Sequence, residues 1–287
     1  MSRWVYLNGE FLPEAEARVS IFDRAFLMGD GVYEVTSVLD GRLVDFDGHL
    51  ARLQRSCDAL SLRNPHDRDR WLEIHREAVS RNALVDGMVY LQLTRGSSGD
   101  REFLWPDPAQ CPPTVVLFTQ SKPGLAESPA GREGIKVISL EDLRWGRRDI
   151  KSVQLLYACW AKTLAKQAGC DDAWLVEDGM VTEGASSNTY LVKDGRIITR
   201  QLSRAILHGI TRSAVLRLAR EVALDIEERP FSLPEAQAAD EAFITSASTF
   251  VTPVVEIDGV SVGEGRPGPV VARLREIYIE EMRKAAI

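Results

Sequence analysis

Asn-Gly and Asp-Gly pairs set between short runs of strand-forming residues constrain this chain more than any other feature. Asn8-Gly9 separates Trp4–Leu7 from Phe11-Leu12, and Asp40-Gly41 separates Tyr33–Leu39 from Arg42–Phe46. Asp178-Gly179, Asp194-Gly195 and Asp258-Gly259 punctuate the second half in the same way. Such pairs accept positive φ at little cost, so they close two-residue antiparallel hairpins. Further strands are expected at Met88–Thr94, Thr114–Thr119, Ile135–Ser139, Ala173–Glu177, Thr189–Lys193, Ile197–Thr199 and Glu241–Thr245. Helical periodicity appears between them. Leu50, Leu53, Cys57 and Leu60 fall at spacings of three and four, predicting a helix over 47–62. After Asn64-Pro65 a second helix places Trp71, Ile74, Ala78 and Leu84 on one face, with His66 and His75 on a polar face. Three more helices are expected at 152–167, 211–223 and 269–286. Hairpins mixed with helices predict an α+β fold in two domains, not one doubly wound sheet. The division is 1–120, a linker at 121–131 rich in Pro, Gly and Ala, and 132–287. Met28-Gly29-Asp30-Gly31 comes nearest to a dinucleotide fingerprint, but it lacks the third glycine and a following helical pattern.

Composition removes several classes of function. The chain has 287 residues, 45% hydrophobic and 27% charged, and a net charge of −7. Arg144-Trp145-Gly146-Arg147-Arg148 is too short and interrupted for a basic patch, so no nucleic-acid partner is expected. Cys57, Cys111, Cys159 and Cys170 form no Cys-x-x-Cys pair and read as free thiols of a reducing compartment. Met1-Ser2-Arg3-Trp4 lacks the apolar run of a signal peptide, and no apolar stretch approaches the ~20 residues of a membrane span. A cytoplasmic protein without a membrane partner is expected. His49, His66, His75 and His208 are too few for a histidine-rich metal site, and each reads as structural or exposed; no metal is expected.

Four segments carry residues suited to chemistry. Lys151 follows the apolar Ile150 and precedes an expected helix. Desolvation and nearby positive charge there would lower its pKa and make it an amine nucleophile. From local sequence alone, a surface lysine paired with Asp149 is the stronger reading. Thr182-Glu183-Gly184-Ala185-Ser186-Ser187-Asn188 carries one acid at the head of a small polar stretch, which suits a site acid or an ordinary turn. His208-Gly209-Ile210-Thr211-Arg212 enters a helix with a glycine before a hydroxyl residue. That arrangement suits an anion at the helix N-terminus, or a plain N-cap. The hydroxyl residues after Ile244 suit a phosphate cup or a solvated strand end.

Taken together and in this order, the segments resemble the fold-type IV class of enzymes that use pyridoxal 5'-phosphate (PLP). The class includes D-amino-acid aminotransferases, branched-chain aminotransferases and aminodeoxychorismate lyases. The resemblance covers Arg24 to Glu34, His49 to Leu53, Leu143 to Leu156, Thr182 to Asn188, Gly209 to Arg212 and Thr245 to Pro253. Asp142-Leu143-Arg144-Trp145, then Asp149-Ile150-Lys151-Ser152, is similar to the D-amino-acid branch. Ser152-Val153-Gln154 stands where the branched-chain branch has Gly-Gly-Asn. The resemblance implies a smaller N-terminal domain, a larger cofactor-binding C-terminal domain and a homodimer. It implies transamination with a keto-acid acceptor. Lys151 would be the Schiff-base lysine that also moves the substrate proton. Glu183 would face the pyridine nitrogen, and Arg52 would pair with the phosphate. Gly209, Ile210 and Thr211, with Ser246, Ala247 and Ser248, would form the two phosphate loops. Leu207 would lie against one ring face, and Ser186 and Ser187 on the cofactor side. Tyr33 would join Arg144 and Asp172 in a network beside the substrate.

One stretch departs from the pattern. The D-amino-acid branch carries an Arg-x-His pair, on a loop from the neighbouring subunit, that grips the substrate carboxylate. Here Asp100-Arg101-Glu102 stands in its place, with Arg101 as the candidate for that grip and Arg147 or Arg148 as substitutes. The resemblance therefore admits relaxed carboxylate recognition, and (R)-amine aminotransferases, branched-chain aminotransferases, aminodeoxychorismate lyases and a non-catalytic PLP-binding relative remain as alternatives.

Overall fold

The first hairpin forms where Asn8 and Gly9 both adopt positive φ, 49° and 111°. It joins β1 (Trp4–Leu7) to β2 (Glu10–Pro13), with Trp4 paired to Pro13 and Leu7 to Glu10. This is a computed structural model, and it describes residues 2–287. Next come α1 (Arg24–Met28), β3 (Gly31–Leu39), β4 (Arg42–Leu43), α2 (Phe46–Ala59), α3 (Arg68–Arg81), β5 (Gly87–Thr94) and β6 (Thr114–Ser121). They build a wholly antiparallel six-stranded sheet of order β2-β1-β6-β5-β3-β4. Its core joins Val32, Leu91 and Leu117 to Leu53 of α2 and to Trp71 and Ile74 of α3.

The later elements are α4 (Pro129–Glu133), β7 (Ile135–Glu141), α5 (Leu156–Gln167), β8 (Asp172–Glu177), β9 (Met180–Gly184), β10 (Asn188–Lys193) and β11 (Arg196–Thr199). They continue through α6 (Ile210–Glu221), β12 (Ile226–Glu228), α7 (Leu233–Gln237), β13 (Glu241–Ser246), β14 (Phe250–Ile257), β15 (Val260–Ser261) and α8 (Pro269–Ala285). Nine strands form one sheet, β12-β11-β10-β13-β14-β7-β8-β9, with β15 paired to β14. This sheet is mixed, because β7–β8, β14–β7 and β11–β12 run parallel. The β7–β8 connection is a crossover through α5, as adjacent parallel strands require. The expected hairpin turns close at Asp178-Gly179, Asp194-Gly195 and Asp258-Gly259, where both residues of each pair have positive φ.

The chain divides by contacts into two units. One holds residues up to Leu125 together with Ile150–Gln154 and Ala285–Ile287; the other holds Ala126–Asp149 and Leu155–Lys284. Several expectations need correction. The stretch 121–131 is no bare linker: it ends β6, makes a 3-10 turn at Leu125–Glu127 and starts α4, with Pro129 in the first helical turn where its missing N–H costs nothing. The helix expected from Ser152 begins at Leu156. Ser152 bridges Val32, and Val153 N–H donates to the Gly31 carbonyl at 3.0 Å, so pairing with β3 overrides helical periodicity. His75 is buried, not on a polar face. Its Nδ1 donates to the Trp71 carbonyl at 2.7 Å, and its ring meets Phe46 edge-on.

Candidate active site

In the first unit, Ile150–Gln154 runs alongside the start of β3. Tyr33 N–H donates to the Lys151 carbonyl at 3.0 Å, and Lys151 N–H donates to Ser56 Oγ at 3.3 Å. Ile150 and Ser152 are buried, while the alternate residue Lys151 is half-buried. Its Nζ lies 4.1 Å from the centre of the Tyr33 ring, a cation–π contact. Tyr33 stacks on Tyr90 at 5.6 Å, and Tyr90 on Phe118 at 4.8 Å, so a ladder across β3, β5 and β6 stiffens the ring under the amine. Asp149 is not the partner of Lys151. It accepts from Arg147 at 2.9 and 3.0 Å.

Helix α2 presents His49, Arg52 and Ser56 at spacings of three and four, hence on one face. Arg52 grips Glu34 with two parallel bonds, Nε to Oε1 at 2.8 Å and Nη2 to Oε2 at 2.7 Å. His49 Nδ1 adds a third contact to Glu34 at 2.8 Å. Burial pushes the Glu34 carboxyl up, but Arg52 and His49 more than offset this and hold it well below the usual carboxylate range. Arg52, expected at a phosphate, is thus locked in orientation by a buried acid to which the sequence reading gave no role.

In the second unit, Glu183 sits near the end of β9, 3% exposed. Its Oε1 accepts from Arg144 Nη1 at 2.7 Å; its Oε2 accepts from Asn188 Nδ2 and from the Leu207 N–H, both at 3.0 Å. Burial pushes its pKa up, and Arg144 and the Leu207 N–H pull against that rise. Arg144 is itself fixed by Asp142, Nε to Oδ1 at 2.9 Å and Nη2 to Oδ2 at 2.7 Å. The expected network of Arg144 with Asp172 does not form. Asp172 accepts from Lys162 at 2.7 Å, because it starts β8 beside α5, whereas Arg144 follows β7.

Asn188, also unassigned from sequence, ties this region together: its Nδ2 donates to the Leu207 carbonyl at 2.9 Å. Its Oδ1 lies 2.1 Å from where a Cβ on Gly209 would be, so only glycine fits there. Gly209 is the N-cap of α6 and supplies no side-chain cap, so the first N–H groups of Ile210 and Thr211 point out of the helix start, as an anion site requires. Between β13 and β14, Ser246 Oγ bonds Thr249 Oγ1 at 2.8 Å and Ser248 Oγ at 3.2 Å, with Ala247 between the serines. Phe250 closes that loop at φ 59°, and Arg275 of α8 holds the carbonyls of Thr249 and Val251. Ser186 is exposed. Ser187 Oγ is buried without a hydrogen-bond partner. The uncapped helix start fits a phosphate-bearing group, the orphaned Ser187 hydroxyl leaves a donor for a bound molecule, and a buried carboxyl held by Arg144 fits a pyridine nitrogen.

The departing stretch is also visible. Arg101 is exposed, its guanidinium 4.6 Å over the Phe103 ring. Asp100 and Glu102 turn to local backbone, accepting from the N–H groups of Arg101 at 2.8 Å and Phe103 at 2.6 Å. Arg148 is buried and bound to Glu177 at 2.8 and 3.0 Å, which removes it as a substitute grip. Among the described residues no cluster of three or more His, Cys, Asp or Glu could hold a metal ion, and no helix is long and apolar enough to cross a membrane.

Residues 31–257 match the family described as Amino-transferase class IV. The chain is 35% identical over 274 residues to a D-alanine aminotransferase of Staphylococcus aureus, covering 95% of each chain. It is 38% identical over 271 residues to a D-alanine aminotransferase of Bacillus licheniformis, covering 94% of each. Among solved structures, a T.th. branched-chain amino acid aminotransferase with pyridoxamine 5'-phosphate superimposes with a TM-score of 0.89 at 27% identity, over 98% of this chain and 94% of that one.

Proposed function

The chain belongs to the class IV aminotransferases and uses pyridoxal 5'-phosphate, and we propose that its amino donors are D-amino acids and its acceptors keto acids. The 35–38% identity to D-alanine aminotransferases, over about 95% of the chain, carries the choice of donor. When bound, the cofactor supplies an aldehyde that receives the amine and a ring that withdraws electrons from the donor's α-carbon. Lys151 Nζ would hold the cofactor covalently until the donor's amine takes its place, and the amine so freed would take and return the proton at the donor's α-carbon. The half-buried place of Lys151 over the Tyr33 ring supports this, since the amine is screened from bulk water yet reachable. Glu183, whose carboxyl pKa burial pushes up and Arg144 pulls back down, is the acid that faces the pyridine nitrogen. The N–H groups of Ile210 and Thr211, the Ser246–Ser248 loop and Arg52 hold the phosphate, while Leu207, Ser186 and Ser187 bound the ring. Arg101 and Tyr33 serve the substrate, whereas Arg144, expected with them, is committed to Asp142 and Glu183.

The same reading makes the enzyme a homodimer, supported by the exposed Phe26, Phe103, Leu104 and Trp105 of the first unit. The four cysteines are all free thiols, which supports the cytoplasm as its compartment. A second reading, an (R)-amine donor, is favoured by one observation: Arg101 rests on Phe103 and no histidine accompanies it. A panel of D-amino acids, L-amino acids and (R)-amines, each read by loss of the cofactor's visible band, decides between them. Fast bleaching by D-alanine alone supports the first reading. Faster bleaching by (R)-1-phenylethylamine supports the second, and bleaching only by L-amino acids rejects both.

A further inference from the structure

Asp30 precedes β3 and is shared by two buried arginines. Arg24 Nε donates to its Oδ2 at 2.8 Å, and Arg95 Nε donates to the same oxygen at 2.9 Å and to Oδ1 at 3.2 Å. The three side chains are 10%, 3% and 6% exposed. The nearby Asp23 is engaged elsewhere, accepting from Thr94 Oγ1 at 2.8 Å and Ala25 N–H at 2.9 Å, so Asp30 alone separates two like charges. Each arginine then reaches out from Asp30. Arg24 donates to the carbonyls of Glu102, Phe103 and Leu104, three consecutive residues of the exposed turn. Arg95 caps the end of α2 through the carbonyls of Leu60 at 2.8 Å and Ser61 at 3.0 Å. Its guanidinium also lies 4.2 Å from the centre of the Trp105 ring. Within one chain these arginines are the buried anchors of the turn, for Phe103, Leu104 and Trp105 are 72%, 77% and 54% exposed there.

We propose that Asp30 is a positioning residue which, through Arg24 and Arg95, fixes the Arg101–Trp105 turn and so sets where Arg101 meets the substrate. The link to substrate rests on the role given to Arg101 above; the hold on the turn does not. A guanidinium fixed at both ends is a rigid strut, whereas a lysine would pair with Asp30 without reaching three carbonyls.

Two holoenzyme variants test this, Asp30→Asn and Arg24→Lys, the second keeping the buried charge pair should the first fail to fold. Hydrogen exchange read by mass spectrometry over 97–110, with α3 peptides as the reference for global loosening, reports on the turn. Steady-state kinetics with D-alanine report on substrate. The expected result is exchange about tenfold faster in 102–105 with α3 unchanged, and KM raised about tenfold with kcat within about twofold. Faster exchange with KM unchanged would uphold the strut and overturn the role of Arg101. Unchanged exchange over 102–105 in both variants, or equal loosening in α3, would overturn the proposal.

Discussion

Arg144 meets Glu183 at 2.7 Å and opposes, through one guanidinium group, the rise in carboxyl pKa that burial imposes. Because Asp142 grips the same guanidinium by two bonds, the charge beside Glu183 cannot swing away.

Replacing Arg144 should therefore be read through Glu183. In Arg144→Gln the main influence lowering the Glu183 pKa is lost, so the carboxyl goes neutral at higher pH. The acid limb of the pH–rate profile should move to higher pH, and the rate at neutral pH should fall about tenfold to a hundredfold. A profile that drops uniformly without moving would show that Arg144 does not govern this charge.

Gly209→Ala tests the packing of Asn188 against the start of α6. Its backbone, at φ −64°, tolerates alanine, so only the clash with Asn188 Oδ1 is introduced. Moving Asn188 disturbs its bonds to Glu183 and Leu207 together. The affinity for pyridoxal 5'-phosphate, measured by absorbance titration of the apoprotein, should weaken by roughly tenfold to a hundredfold, each lost bond being worth about 1 kcal/mol. Unchanged affinity would place the phosphate away from α6.

His75 predicts a pH dependence of stability. Burial holds its pKa down to about 4, against 6.5 in the unfolded chain. Between those values the unfolded state binds the extra proton, so the apoprotein should lose stability as pH falls from about 6.5 towards 4, by roughly 3 kcal/mol in the limit. Glu34 acts in a lower window. Its pKa is depressed, so its contribution is present above the ordinary value of 4.5 and is lost as pH falls further. Urea unfolding at several pH values should show His75→Asn, which keeps a donor for the Trp71 carbonyl, with a flatter slope above about pH 4.5. Parallel slopes for variant and parent would exclude His75 as the source.

The sequence exposes whatever is decided locally. Asn8-Gly9 and Asp178-Gly179 close hairpins because few other residues accept their φ values, and Gly209 before Thr211 marks a helix start without a side-chain cap. What depends on distant pairing stays hidden. Lys151 precedes an apparent helix in sequence, yet its segment pairs with Gly31–Tyr33, more than a hundred residues away in the chain. Glu34 lies within the resembling segment, but only the fold brings Arg52 and His49 to it. The polar neighbours of His75 on α3 mask its burial against Phe46. Asp100 and Glu102 flank Arg101 in sequence, yet both accept from local backbone N–H groups, which the sequence does not show.

The most direct test is covalent. Holoenzyme reduced with borohydride and digested should carry one reduced pyridoxyl phosphate, on the peptide containing Lys151. Lys151→Ala treated identically should carry none, and should not exchange amino groups between D-alanine and a keto acid. A label on another lysine of the parent enzyme, or a reducible adduct retained by Lys151→Ala, would contradict the assignment of Lys151 as the amine that holds the cofactor.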